Sequence, residues 1–208
     1  MNNDIRDSLR KAYNGKAQER DGNAIHEWKL EERKIFLSLL REEKKETLLE
    51  IGAGSGKDSA FFQEQGLKVL CTDLSPEMIK LCQAKGLDAK ILDFANLGSL
   101  NKSFDAVYAL SSLLHLPKKE LPAVLTLINA RLNPKGLFFM GVYGGHDSEG
   151  IWDEDSYRPK RFFSFFDDAH IKNLVSKIFD IVSFKRITIE EITSSGLHYQ
   201  SVILRKRK

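Results

Sequence analysis

The run Thr47-Leu-Leu-Glu-Ile-Gly-Ala-Gly-Ser-Gly-Lys-Asp-Ser59 constrains this chain more than any other stretch. An apolar segment ends in an acid, and three glycines follow at alternate positions, Gly52, Gly54 and Gly56. The pattern reads as a buried strand entering a tight turn that opens a helix. Glycine accepts the positive φ of such a turn and lets backbone come close to a ligand. The first N–H groups of the following helix have no intrahelical acceptor and suit a polar ligand. A nucleotide-like cofactor is implied, and three classes of it stay open on the glycines alone.

The rest of the chain alternates strand and helix. Residues 57–65 read as a helix ended by Gly66, and 67–72 as a second strand closing on Asp73. Ser75-Pro76-Glu77 starts a helix, with serine as N-cap, proline at N1 and an acid in the first turn. Gly86 ends it, and 89–92 form a third strand that runs into Asp93. Residues 104–110 are a fourth strand, and 117–132 hold a helix with Pro122 in its first turn. Asn133-Pro-Lys-Gly136 then turns into a fifth strand, 137–143. This order means parallel βαβ units with right-handed crossovers. Strands that are apolar throughout are covered on both faces. Residues 167–177 read as a helix. Two last strands, 179–189 and 197–204, are separated by a link containing Ser194-Ser-Gly196, too short for a crossover, so they pair antiparallel.

The whole chain of 208 residues reads as one domain. Its core is residues 46–208, preceded by a helical arm over 1–45 that acts as a cover or lid. Ile5, Leu9 and Tyr13 mark a first arm helix, and Ile25, Trp28, Ile35, Phe36 and Leu39 a second, joined by a loop over 14–23. Tyr13 and Trp28 read as packing residues. Arg205-Lys-Arg-Lys208 carries four positive charges against a net charge of +3, so the body is slightly acidic and no broad nucleic-acid surface is expected. Cys71 and Cys82 make neither a disulfide framework nor a metal-ligand spacing. The start lacks a signal pattern and no apolar run is long enough to cross a bilayer. The expectation is a cytoplasmic protein, monomer or homodimer, with no metal and no membrane partner.

Spacing separates the cofactor classes. A phosphate-binding P-loop needs a glycine where Ile51 stands and a hydroxyl where Asp58 stands. A dinucleotide turn needs its third glycine at the position of Lys57. Asp73 suits a ribose diol in either a dinucleotide or another nucleoside. Taken together, Glu50-x-Gly52-x-Gly54-x-Gly56, then Asp73, Asp93-Phe94 and Phe104-Asp-Ala-Val-Tyr108 resemble the class I S-adenosylmethionine-dependent methyltransferases. The resemblance covers about residues 47–204. It implies an α/β fold, a Rossmann-like seven-stranded, mostly parallel sheet with helices on both faces and a C-terminal antiparallel hairpin.

The same resemblance implies a binding set for S-adenosyl-L-methionine and its product S-adenosyl-L-homocysteine. Gly52, Ala53 and Gly54 would lie along the methionine portion, with Glu50 near its amino group. Asp73 would accept both ribose hydroxyls. Leu74 and Met78 would enclose adenine, with Asp93 and Phe94 bonded to its edge. Ala109, Leu110 and Ser111 would line the methionine tail. Lys57 would be a surface residue, because the donor carries no phosphate.

The acceptor is less constrained. Ala109-Leu-Ser-Ser-Leu-Leu-His115-Leu-Pro117 lacks the Asn/Asp-Pro-Pro-Tyr motif of nucleic-acid amino-methylating enzymes, and no cysteine stands there as a nucleophile. It is similar to small-molecule members of the superfamily, the tellurite-resistance-like and ubiquinone-type enzymes. His115, Tyr143 and His146 are the candidate catalytic residues, His115 as a general base. The insertion over 144–166 reads as a long substrate-facing loop, with Trp152, Tyr157 and Arg158 as its wall and Phe163 and Phe166 as core. Its acids, Asp153, Glu154 and Asp155, suggest a cationic acceptor. Two alternatives stand beside methyl transfer: a cofactor-binding sensor without transferase activity, and a nicotinamide-dependent oxidoreductase.

Overall fold

The computed structural model describes residues 3–189 and 196–207. Ser194 and Ser195, in the link expected between the last two strands, lie outside the described residues. Strands β1 (Thr47–Ile51), β2 (Lys68–Asp73), β3 (Asp88–Ile91), β4 (Phe104–Leu110), β5 (Leu132–Gly144), β8 (Phe179–Ile187) and β9 (His198–Lys206) form one sheet. Their order is β3-β2-β1-β4-β5-β9-β8. β1 pairs parallel with β2 and β4, and β9 pairs antiparallel with β5 and β8. The chain winds outward from β1 through β2 to β3, then returns to start the other half at β4. The sheet therefore reverses direction between β1 and β4, and open α/β sheets leave a crevice at the carboxyl ends of such a pair.

Neighbouring residues of β5 show how both faces are filled. Side chains alternate along a strand, so Phe138 meets Phe179 on one face (5.6 Å between ring centroids) while Phe139 stacks on Tyr108 on the other (4.7 Å, 22°). Helices α4 (Lys57–Glu64), α5 (Pro76–Ala84), α6 (Leu121–Arg131) and α7 (Asp168–Ser176) cover the sheet. Ser75 caps α5 by accepting from Met78 N at 3.2 Å, and Asp167 caps α7 in the same way.

The arm is three helices rather than two. The expected loop over 14–23 holds α2 (Ala17–Gly22) between α1 (Asn3–Gly15) and α3 (Glu27–Glu42). α3 docks through Glu32, Phe36, Leu37 and Leu40, a stripe at spacings of four and three, whereas Ile35 is 47% exposed. Glu32 is buried where α3 crosses the last hairpin, accepting from Ser201 Oγ and pairing with Lys185 at 2.7 Å. These contacts fix the direction from which the arm returns over the crevice.

Three other elements differ from expectation. The fifth strand begins at Leu132, and the expected turn over 133–136 is an irregularity within it, marked by a register shift against β4 and by Lys135 at φ 58°. α6 starts at Leu121, preceded by a separate 3₁₀ turn over Leu113–His115. The insertion is a hairpin rather than a loop: β6 (Ser148–Ile151) pairs antiparallel with β7 (Phe162–Phe165). Phe163 and Phe165 share one face of β7 and stack at 5.8 Å, which holds the hairpin against the domain. Among the described residues, no helix is long and apolar enough to cross a membrane.

Phe36 is fully buried against Phe62, Tyr108 and Phe139 and is the anchor of α3. Phe36→Ala should lower the unfolding free energy by about 3–5 kcal/mol, read from the shift of the urea midpoint.

Candidate active site

The three glycines meet three different demands. A Cβ on Gly52 (φ +71°) would lie 2.3 Å from Ser112 Cβ, so the turn presses against the chain beyond β4. A Cβ on Gly56 (φ +81°) would lie 2.7 Å from Leu87 and 2.9 Å from Cys82. At Gly54 (φ +56°) a Cβ would meet nothing within 4 Å, because that residue borders open cavities. Cys82 seats the turn from below, its thiol donating to Gly54 O at 3.3 Å.

Acids flank the turn on both sides. Asp73 accepts from Gly54 N at 2.9 Å and Ser75 N at 2.8 Å, yet burial pushes its carboxyl up to about 6. Glu50 is 3% exposed and accepts from Ser59 Oγ. Burial and the neighbouring Asp58 push it well above the usual carboxylate range. Ser112 Oγ is buried with no hydrogen-bond partner among the described residues. Asp73, Glu50 and Ser112 border a ligand-sized space, where a diol, a cation and a polar contact, respectively, would answer them.

That space is three adjoining cavities along the carboxyl edge. One of about 210 Å³ runs past Glu50, Gly52, Ala53, Gly54 and Leu110. A second, of about 50 Å³, lies against Asp73, Leu74, Phe94 and Ser112. A third, of about 160 Å³, is walled by Tyr13, His115, Tyr143, Trp152, Tyr157 and Phe163. Arg20 and Ser111 line all three.

The third cavity is closed by the arm from one side and the hairpin from the other. His115 Nδ1 lies 2.7 Å from Phe162 O, a carbonyl that can only accept. Nδ1 therefore carries the proton, and Nε2 accepts from the Tyr13 hydroxyl at 2.7 Å. The Tyr13 oxygen in turn accepts from Arg161 Nη1 at 3.0 Å. Arg161 grips Asp155 through Nε and Nη2 at 3.0 and 2.7 Å, and its guanidinium lies 3.6 Å from the Tyr157 ring centroid. Arg20 donates to the Tyr157 hydroxyl at 2.8 Å. Burial, with a smaller push from Arg161, holds the His115 ring down at about 3.

The structure brings most of the expected cofactor residues together and leaves others apart. Glu50, Gly52, Ala53, Gly54, Asp73, Leu74, Phe94 and Leu110 border the first two cavities. Met78 is fully buried on the inner face of α5, and Ala109 is buried within the sheet core, so neither lines the space. Asp93 caps the following 3₁₀ turn and pairs with Arg6 at 3.8 Å. His115 and Tyr143 border the third cavity, but His146 lies against Phe165 on another cavity, beyond Trp152.

A low-pKa ring with both nitrogens engaged does not suit His115 for the role of a general base. Arg158 turns back to the carbonyls of Asp155 and Tyr157, and Arg161 takes its expected place in the wall. Phe163 is both core and wall, whereas Phe166 is core only. Asp155 is spent on Arg161 and Asp153 lies 3.6 Å from Lys160, and neither they nor Glu154 lines the third cavity, so the expected acidic acceptor site does not form there. Lys57 is no free surface residue, since its ammonium donates to the carbonyls of Arg20 and Asn23 at the end of α2. Tyr13, Arg20, Lys29 and Arg161 are site residues that sequence reading passed over. The signal for Arg161 was a base opening an aromatic run six residues after Asp155.

Comparison with known proteins places this geometry. Residues 49–138 match the model of a methyltransferase domain. A ubiquinone biosynthesis O-methyltransferase of Xanthomonas oryzae pv. oryzae is 28% identical over 102 residues, covering 46% of this chain and 42% of that protein. The chain thus matches less than half the length of these curated relatives. The structure of the 1,6-didemethyltoxoflavin-N1-methyltransferase of Burkholderia thailandensis, with its ligand and S-adenosylhomocysteine bound, superposes with a TM-score of 0.71 at 24% identity. It covers 97% of this chain and 88% of that one. The N-methyltransferase NodS of Bradyrhizobium japonicum, bound to S-adenosylhomocysteine, gives 0.69 at 13% identity over 95% and 100% of the two chains. At these identities the two structures share the fold.

The protonation of His115 can be read from stability. Its ordinary pKa is 6.5 and its folded value about 3. Between those values the unfolded chain takes up a proton that the folded ring refuses, so this group makes stability fall as pH drops from 6.5 toward 3. Its share of the slope approaches about 1.4 kcal/mol per pH unit. His115→Gln should remove that share in urea titrations between pH 4 and 6, and an unchanged slope would contradict the neutral assignment.

Proposed function

From a chain with the fold of class I S-adenosylmethionine-dependent methyltransferases and a methyltransferase domain at residues 49–138, we propose methyl transfer from S-adenosylmethionine to a small-molecule acceptor. One observation carries the reading: the cavities beside the glycine turn and Asp73 continue, past Ser111, into a separate aromatic-walled cavity. A donor and an acceptor would thus meet end to end. The residues on the donor side fit the group. Asp73 offers a carboxylate to a ribose diol, Glu50 a buried carboxyl to an ammonium, and Gly54 an open backbone. Leu74 and Phe94 offer apolar surface to a base.

When bound, the donor supplies a methyl group on a sulfonium, a leaving group that departs as a neutral thioether. Such a displacement rests mainly on holding two groups close and in line. The chain's part is to seat the donor on the turn, shut out water between arm and hairpin, and fix the acceptor's approach. Tyr13, oriented by His115 and Arg161, is the polar group best placed to hold the acceptor, and it lines both the second and third cavities.

Calorimetry should show S-adenosylhomocysteine binding and none for NAD; the reverse would support an oxidoreductase. Detection of methylated product over a panel of acceptors separates an enzyme from a binding protein. Asp73→Ala should weaken S-adenosylhomocysteine at least about tenfold, the scale of one hydrogen bond to a charged group. Hydroxyl donors favour the ionised carboxylate, so the wild-type affinity should fall as pH drops through about 6. Asp73→Asn should be weaker and flat over the same range.

A further inference from the structure

The charges around the third cavity are of one sign. Arg20, Lys29 and Arg161 line it, and no carboxylate does. Asp155 answers Arg161 from behind with two hydrogen bonds. Among the described residues, no carboxylate lies within 4.0 Å of the charged atoms of Arg20 or Lys29. Arg20 spends one N–H on a neutral phenol, the Tyr157 hydroxyl. Lys29 is half-buried, its ammonium 5.2 Å from the Trp28 ring centroid, and burial together with Arg20 holds its pKa below the usual value. Asp58 acts on Lys29, and Asp73 on Arg20, only from beyond ion-pair distance, and two cations without a close acid at one partly buried place favour an anion there.

The donor does not remove this excess. Under the methyl-transfer reading it brings a sulfonium and an ammonium against a single carboxylate, which can answer only one of the two cations. A cationic acceptor would gain cation–π attraction from the ring faces, but it would sit beside Arg20, Lys29 and Arg161 with no carboxylate among the lining residues. The walls are the rings of Tyr13, Tyr143, Trp152, Tyr157 and Phe163, with Leu114 and Leu197 between them. Rings of this kind give flat, apolar surface to a flat ligand. An acceptor whose negative charge lies on the attacking atom also has no proton to lose, which agrees with a His115 whose two nitrogens are both engaged.

We propose that the acceptor is a planar aromatic or heteroaromatic anion, held by Arg20 and Lys29 between the arm and the hairpin. The proposal rests on the methyl-transfer reading only for the word acceptor; the anion site stands on the lining residues.

The test is calorimetry on the full chain, with and without saturating S-adenosylhomocysteine. The probes are salicylate, salicylamide, 2-hydroxybenzylamine and cyclohexanecarboxylate. Salicylate should bind at least about tenfold tighter than salicylamide, the scale of one added charge contact. The amine and the non-planar carboxylate should be weaker than salicylate. Arg20→Met and Lys29→Met should each shrink the preference for salicylate over salicylamide. If Arg20→Met does not fold by circular dichroism, Lys29→Met carries the comparison. Amine binding equal to or tighter than that of salicylate would overturn the proposal. So would a preference unmoved in the folded variants, or no binding of any probe at millimolar concentration. Equal binding of cyclohexanecarboxylate would overturn the planar part. Failure of S-adenosylhomocysteine to bind while salicylate keeps its preference would sink the methyl-transfer reading and leave the anion site standing.

Discussion

The close approach of Gly52 to Ser112 is the constraint on which this site depends. With no room for even a Cβ, the turn after β1 and the chain after β4 are held in contact at the point where the sheet reverses direction. That contact divides the carboxyl edge. Asp73, Leu74 and Phe94 lie on one side, Tyr143, Trp152 and Phe163 on the other, and Ser111 borders both. Any side chain at position 52 would have to displace Ser112 from the turn. Ser111 itself adopts φ 56°, and its hydroxyl lies 2.9 Å from that of Tyr199, so the partition is braced from the antiparallel half of the sheet as well.

Around that partition, polar groups are joined in a chain that no single element contains. It runs from the Phe162 carbonyl on the hairpin, through the His115 ring and the Tyr13 hydroxyl, to Arg161 and Asp155 back on the insertion. Each group answers the next, and burial keeps the histidine neutral. A partly buried network of this kind is stable only when every member is satisfied. It therefore fixes the distance between arm and hairpin more sharply than the apolar contacts around it.

What the sequence disclosed follows from how far apart the partners are. The strands, the glycine turn, the Ser75 cap and the final hairpin are written in local patterns of apolar residues, glycines and cap residues, and they were legible. Asp73 and Glu50 were legible because a turn of that type puts acids at strand ends. Tyr13 was not, because its partners lie 102 and 148 residues away and its spacing in an amphipathic helix is that of a packing residue. Met78 and Ala109 were misplaced for the complementary reason: a strand-end or helix-start position fixes the neighbourhood, but the turn of the backbone decides which side chain faces the space. The hairpin over β6 and β7 was hidden in an aromatic run whose alternation spans only four residues.

Lys57 ties the end of α2 to the first turn of α4 through the carbonyls of Arg20 and Asn23, and Arg20 reaches from α2 into all three cavities. A helix of six residues thus borders the whole crevice, tied to α4 by Lys57, to the end of α5 by the Lys85–Asp21 pair and to the hairpin by the Arg20–Tyr157 bond. One short element therefore couples three others, and a change at any of those ties reaches every compartment.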